Sequence, residues 1–195
     1  MNHNNLADAT RYLANELFKD YGLVIIDADH KNLKQLFTPF VEEELFENVS
    51  FESVSKTIED LDADYKIQVN PREINLFYID DGIRERIITN EKGFTINNTN
   101  IVFTESEIRE VLQKHPECFS PNVIMRPLYQ EVILPNLCYI GGGGELAYWL
   151  ELKKYFDAVA VTFPILLPRN SVQVVSEKQE PVSYTHLTLP TTSRV

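Results

Sequence analysis

Tyr21-Gly22-Leu23-Val24-Ile25-Ile26-Asp27-Ala28-Asp29-His30 is the stretch on which the fold reading turns. Leu23 to Ile26 is a short, continuous apolar run of β-branched character. It reads as a strand buried on both faces, the kind that parallel sheets contain. Upstream, Leu6, Ala9, Leu13 and Leu17 recur at helical spacing with Arg11, Glu16 and Lys19 between them, and Gly22 suits the helix C-cap. Downstream, Leu33, Leu36, Phe37, Phe40, Val41 and Leu45 give a second helical pattern, which Pro39 is expected to kink or restart. Helix, strand and helix in succession are the local form of an α/β layer architecture, so the predicted fold class is α/β.

The middle of the chain changes character. Ile67 and Val69 alternate, and Leu76 to Ile79, Asp80-Asp81-Gly82, then Ile83 to Ile88 read as a β-hairpin, because Gly in the turn tolerates positive φ. Phe94 to Ile96 and Ile101 to Phe103 supply two more strands. Residues 65–103 are therefore predicted to be a small antiparallel insertion between a first core segment, 1–64, and its continuation, 104–181. Thr104-Glu105-Ser106-Glu107 fits a capping box, with Ile108, Val111 and Leu112 buried and Pro116 ending the helix. A helix from Glu145 to about Phe156 and a buried strand over 158–163 complete the pattern.

Composition narrows the function classes. The net charge of −11 repels nucleic-acid phosphates and anionic membranes, so neither is an expected partner. No apolar run approaches the roughly 20 residues of a membrane span, and no basic-then-apolar leader opens the chain. A cytoplasmic protein is expected. Cys118 and Cys138 have no CxxC partner and, with His30 and His115, no zinc-ligand spacing, so free thiols and no metal are predicted.

Three constellations and one further arginine could carry chemistry. Gly141-Gly142-Gly143-Gly144 before Glu145 lets the backbone approach a ligand and points amides and a helix N-terminus at an anion; a tight strand-to-helix connection would also use glycine. Arg126, within apolar surroundings beside Pro127, either grips an anionic ligand or pairs with Glu131 or Glu145. Asp27 and Asp29 lie where open α/β sheets bind ligands and could hold a cation or a substrate amine, whereas the bland role for Asp29 is N-cap of the next helix. Arg169 after Pro164-Ile165-Leu166-Leu167-Pro168 is either an anion contact or a surface ion pair. On these residues alone the chain could equally be a non-catalytic α/β module binding a nucleotide or sugar phosphate at Gly141 to Gly144. There is no Ser-His-Asp arrangement and no HExxH.

Ser120-Pro121-Asn122-Val123 with Arg126-Pro127-Leu128-Tyr129-Gln130-Glu131 resembles the family of cysteine-adding enzymes called BshC. Leu134-Pro135-Asn136, Tyr139-Ile140-Gly141-Gly142, Gly144-Glu145 and Tyr148-Trp149 continue that resemblance in order, and Pro164 to Arg169 is similar to the family's Pro-rich strand ending in Arg. The similarity covers about residues 6–175. It implies a partial Rossmann-like parallel sheet with the antiparallel insertion, and a ligase that adds cysteine to glucosaminyl-malate in bacillithiol biosynthesis. It leaves the cofactor open, with ATP or another nucleotide as candidates, and implies a homodimeric full-length enzyme with a C-terminal coiled coil. Substrate- or nucleotide-binding roles would then fall to Arg126, Gly141 to Gly144, Glu145, Asp27, Asp29 and Arg169. One departure is Gly143, where the family pattern has Pro. Family members are more than twice as long, so the chain is expected to be an internal fragment. Val182-Ser183-Tyr184-Thr185-His186-Leu187 looks like the in-frame translation of a library adapter, so residues 182–195 are expected to be foreign to the natural protein.

Overall fold

The structure, a computed structural model, describes residues 3, 5–61, 64–91 and 93–172. The reading of residues 182–195 lies outside them. Helix α1 (Leu6–Phe18) is capped by the Asn5 side chain, which accepts the Asp8 amide at 2.7 Å, and a 3-10 turn carries it to Gly22 at φ 73°. Residues 23–27 then carry no regular secondary structure and join no sheet. This corrects the buried strand expected there: Leu23 is 50% exposed, Val24 67% and Ile26 42%. An apolar run supplies burial tendency, but a strand also needs neighbouring backbone to pair with, and the described residues provide none.

Helix α2 (Lys31–Glu47) passes through Pro39 without interruption. Its N-cap is His30, whose ring nitrogen accepts the Asn32 amide at 3.3 Å, so the capping role expected of Asp29 falls to its neighbour. Asn48, at φ 52°, turns the chain into α3 (Val49–Asp60), a helix the sequence did not announce. Its buried face is Ser50, Ser53, Val54 and Thr57, three of them hydroxyl residues, and that stripe lacks the apolar periodicity by which a helix is recognised.

The chain from residue 65 to 75 is irregular rather than the strand suggested by Ile67 and Val69. The amides of Gln68 and Val69 donate to the buried Glu151 carboxylate at 2.7 and 3.2 Å, so a side chain replaces the ladder. Strands β1 (Leu76–Asp80), β2 (Ile83–Asn90), β3 (Gly93–Ile96) and β4 (Val102–Phe103) follow, the first turn closed by Gly82 at φ 72°. Helix α4 (Glu105–Lys114) carries the Thr104–Glu107 capping box. Strand β5 (Phe119–Pro121) then adds to β1, giving a five-stranded antiparallel sheet in the order β4-β3-β2-β1-β5.

The last third is a parallel unit. Helix α5 (Arg126–Ile133) leads to β6 (Cys138–Gly141), then α6 (Gly143–Leu150), α7 (Lys153–Ala158) and β7 (Ile165–Pro168), which pairs in parallel with β6. Two expectations change here. The single helix over 145–156 starts two residues earlier and breaks at Glu151-Leu152, where Glu151 is anchored to the 68–69 backbone. The strand expected over 158–163 lies instead at Ile165–Pro168, because the ladder to β6 begins with the Ile165 amide on the Leu137 carbonyl. Val159, Val161 and Phe163 pack on the core without pairing.

One apolar core joins both sheets and helices α2 to α7, with Phe37, Leu45, Ile87, Leu112, Leu128 and Trp149 among its buried side chains, while α1 contributes none. The fold is thus mixed α/β, with one antiparallel and one parallel sheet. Both cysteines are free and half-buried. No described helix is long and apolar enough to cross a membrane.

Candidate functional site

The parallel unit places the glycine run at the C-terminal end of β6 and the N-terminus of α6. Gly141 closes the strand, Gly142 is the N-cap with φ −72° and ψ 162°, and Gly143 and Gly144 form the first helical turn. None of the four has positive φ. Their need for glycine is steric and differs along the run. A Cβ on Gly141 would lie 2.7 Å from Tyr139 Cε1 and 3.1 Å from Leu146 Cδ2, whereas Gly143 and Gly144 face open space. Gly141→Ala is therefore expected to cost about 1–3 kcal/mol through overpacking. Gly143→Ala is expected to gain roughly 0.4–1 kcal/mol by restricting the unfolded chain. Urea melts of both variants check the contrast. Gly143 occupies the first helical position, where Pro is well tolerated, so the departure from the family pattern leaves the helix start in place.

Charged groups gather around this junction. Glu145 lies in the first turn of α6, and its carboxylate accepts the Gly142 amide at 2.8 Å and the Tyr139 hydroxyl at 3.3 Å. Those bonds, the Gly142 amide first, hold its carboxyl below the usual range, with further help from the positive charges of Arg169 and Arg126. Arg126, the first residue of α5, donates to the Tyr148 hydroxyl and, at 3.4 Å, to Gln130 Oε1. Burial raises the Tyr139 hydroxyl, and Arg126 partly offsets this. Arg169 follows β7, and its amide donates to the Gly141 carbonyl at 2.9 Å. Its guanidinium stands beside Gly142, where a Cβ would meet Nη2 at 3.3 Å. Glu131 is not the partner of Arg126. It is 3% exposed and takes the Asn136 amide at 2.8 Å and the Asn136 side chain at 3.0 Å.

Four element ends therefore meet: β6, α6, α5 and β7. Arg126 and Arg169 are both exposed, and the amides of Gly143 and Gly144 have no partner among the described residues. Two guanidinium forks and a helix N-terminus can together hold a carboxylate or phosphate. The closeness of Arg169 to the glycine run went unread in the sequence. Only the β6–β7 register, which pairs Gly141 with Pro168, produces it.

Asp27 and Asp29 form a separate cluster, beside a cleft of about 510 Å³ between α1 and residues 25–29. Asp27 pairs with Arg11 at 3.5 Å and Asp29 with Lys34 at 3.3 Å. Lys34 is almost fully buried, donates to the Phe119 carbonyl at 3.0 Å, and has its pKa lowered by that burial. The Tyr129 hydroxyl donates to the Ala28 carbonyl at 2.6 Å and is pushed up to about 12 by burial, then by the charges of Asp29 and Asp27. Both acids thus already face cations of the chain, and no contact among the described residues joins them to Gly142. Their one link to the glycine site is α5, which carries Arg126 and Tyr129 a turn apart.

Residues 1–170 match the family model described as bacillithiol biosynthesis BshC, N-terminal Rossmann-like domain. A protein of Flavobacterium johnsoniae named "Putative cysteine ligase BshC" is 63% identical over 179 residues, covering 92% of this chain and 34% of that protein. Its namesake in Flavobacterium psychrophilum is 59% identical over 180 residues with the same coverage. The namesake in Lysinibacillus sphaericus is 36% identical over 180 residues, 89% of this chain and 33% of the relative. The chain spans about a third of the length of the curated relatives it matches.

Proposed function

The chain belongs to the bacillithiol biosynthesis BshC family, and on that premise we propose that it is part of a ligase adding cysteine to glucosaminyl-malate. The observation that carries this reading is the meeting of Arg126, Arg169, Glu145 and the glycine run at one strand-to-helix junction. These are residues of the same strings on which the family resemblance rests. In this reading Arg126 and Arg169 hold an anionic group, either a malate carboxylate or a nucleotide phosphate, against the Gly144 amide at the N-terminus of α6, a donor that the family's Pro at position 143 leaves in place. Glu145 keeps the turn in shape through the Gly142 amide and balances the two cations. Tyr139 and Tyr148 fix the orientation of Glu145 and Arg126.

In this reading β6 and β7 are two strands of a larger Rossmann-like sheet. Parallel sheets are covered on both faces, yet Ile140 is 64% exposed and Ile165 66%. Full-length family protein covers these side chains and supplies backbone partners for residues 23–27. The test is an assay of a full-length protein containing this sequence with cysteine, glucosaminyl-malate and ATP, read by mass spectrometry. The expected result is a product heavier than glucosaminyl-malate by one cysteinyl residue. A protein that binds ATP or a sugar phosphate but yields no such product would instead be the non-catalytic module.

A further inference from the structure

A second cleft, of about 490 Å³, lies on the other sheet, between residues 68–77 and the turn leading into α5. Two arginines line it, Arg72 from the irregular segment and Arg86 from β2. No Asp or Glu does, in a chain whose net charge is −11. Neither guanidinium has a hydrogen bond, ion pair or ring contact among the described residues. Other arginines are engaged: Arg11 with Asp8, Arg109 with Glu42, and Arg84 over the Phe77 ring at 4.0 Å. Arginines facing a cavity usually have an anion to answer them.

The walls are also held in place. Asn75, fully buried, receives the Arg72 amide on its Oδ1 at 3.2 Å and donates to the Arg72 carbonyl at 2.7 Å. The same Oδ1 accepts the Asn122 side chain at 2.8 Å, and the Asn75 carbonyl accepts the Asn122 amide at 3.0 Å. Asn75 is itself fixed by the buried Glu44 carboxylate. One buried network thus sets the spacing of the two sides of the cleft. On the third side Arg86 is the cross-strand partner of Phe77, so both project from the same face of the sheet. Gln68 and Asn70 add amides, and Phe77 and Val123 add apolar surface.

We propose that this cleft binds a small organic anion, a carboxylate or phosphate ester carrying an apolar or planar body, at a site distinct from the glycine run. Arg72 and Arg86 take the charged group, and Phe77 and Val123 take the body. The shared chemistry is an oxyanion with two or more acceptor oxygens, and separate probes distinguish its sources.

The test is calorimetric titration of the 195-residue chain with inorganic phosphate, L-malate and AMP in turn. It is run on the unaltered protein, on Arg72→Gln/Arg86→Gln, and on Lys153→Gln/Lys154→Gln, which removes the same charge from a remote helix. At least one probe should bind saturably. The arginine pair of substitutions should weaken it at least tenfold and the lysine pair less than twofold. Binding of phosphate or AMP marks a phosphate ligand, and binding of malate a carboxylate. Amide shift mapping on the unaltered chain should place the perturbed residues at 68–77, 86 and 122–124, a readout independent of how the variants fold. A chain that binds none of the three overturns the proposal. So does binding that leaves the amides of 68–77, 86 and 122–124 unshifted and perturbs Gly142 and Arg126 alone, or shifts at 68–77, 86 and 122–124 that survive loss of both arginines; either result would leave the ligase reading untouched.

Discussion

Replacing Glu44 with alanine should lower the stability of the chain by about 3 kcal/mol, the scale of one or two lost charged hydrogen bonds. Glu44 is 1% exposed, yet it is not a misplaced charge. Its Oε1 accepts the Ser50 hydroxyl at 2.7 Å, the Asn75 amide at 2.8 Å and the Asn75 side chain at 3.2 Å, and its Oε2 accepts the Ser50 amide at 3.1 Å. Alanine removes the acceptor and leaves these donors facing a void. The loss is smaller than the sum of the bonds because the buried carboxylate also carries a desolvation cost. That cost wins over the four donors, and the Glu44 carboxyl is held above its ordinary value of 4.5. A raised pKa in the folded state means that the fold binds the proton more tightly than the unfolded chain does. The contribution of Glu44 is therefore complete below about 4.5 and declines as pH rises through the raised value. Urea melts at pH 5 and pH 8 should show a wider gap between the unaltered chain and Glu44→Ala at pH 5. A loss under about 1 kcal/mol, or a gap that widens towards pH 8, would contradict the assignment.

The same residue illustrates where sequence reading stops. Glu44, Glu131 and Glu151 look like solvent-facing acids in helical segments. Each is instead buried and takes backbone or side-chain amides, Glu44 and Glu151 drawing on segments 31 and 82–83 positions away in the chain and Glu131 on the turn at Asn136. What local chemistry encodes was legible. The Asp81-Gly82 turn, the Thr104–Glu107 box and the Gly22 cap each depend on residues a few positions apart. Pairing was not. The apolar runs at 23–26 and 158–163 carry the composition of strands, but a strand is settled by a partner ladder, and the ladder opposite β6 forms at 165–168. Helix α3 was hidden for the opposite reason, a buried face made of hydroxyls. In the candidate site, glycine run and Arg126 stood out as residue types in unusual company. Their spatial relation to Arg169 depends on a parallel pairing across an intervening pair of helices.

The glycine–arginine junction carries the functional account, and Arg126→Lys probes it with least disturbance. Lysine keeps the charge but loses the planar fork that grips two oxygens at once. In the fold, Arg126 is exposed and bonded to Tyr148 and Gln130, with no ion pair to Glu131 or Glu145, so its loss should hardly move the melting temperature. Gly142→Val acts from the other wall. Its Cβ would press on the Arg169 guanidinium at 3.3 Å and on Glu145 Oε2 at 3.5 Å, displacing the second cation, while φ of −72° admits the side chain. The decisive measurement is melting temperature and glucosaminyl-malate or ATP affinity on the same samples of a full-length protein carrying each substitution. The account predicts near-native melting and affinity weakened by about 1–3 kcal/mol, the value of a lost charge-assisted hydrogen bond. Lowered melting with unchanged affinity per folded molecule would contradict it and make Arg126 a structural residue only.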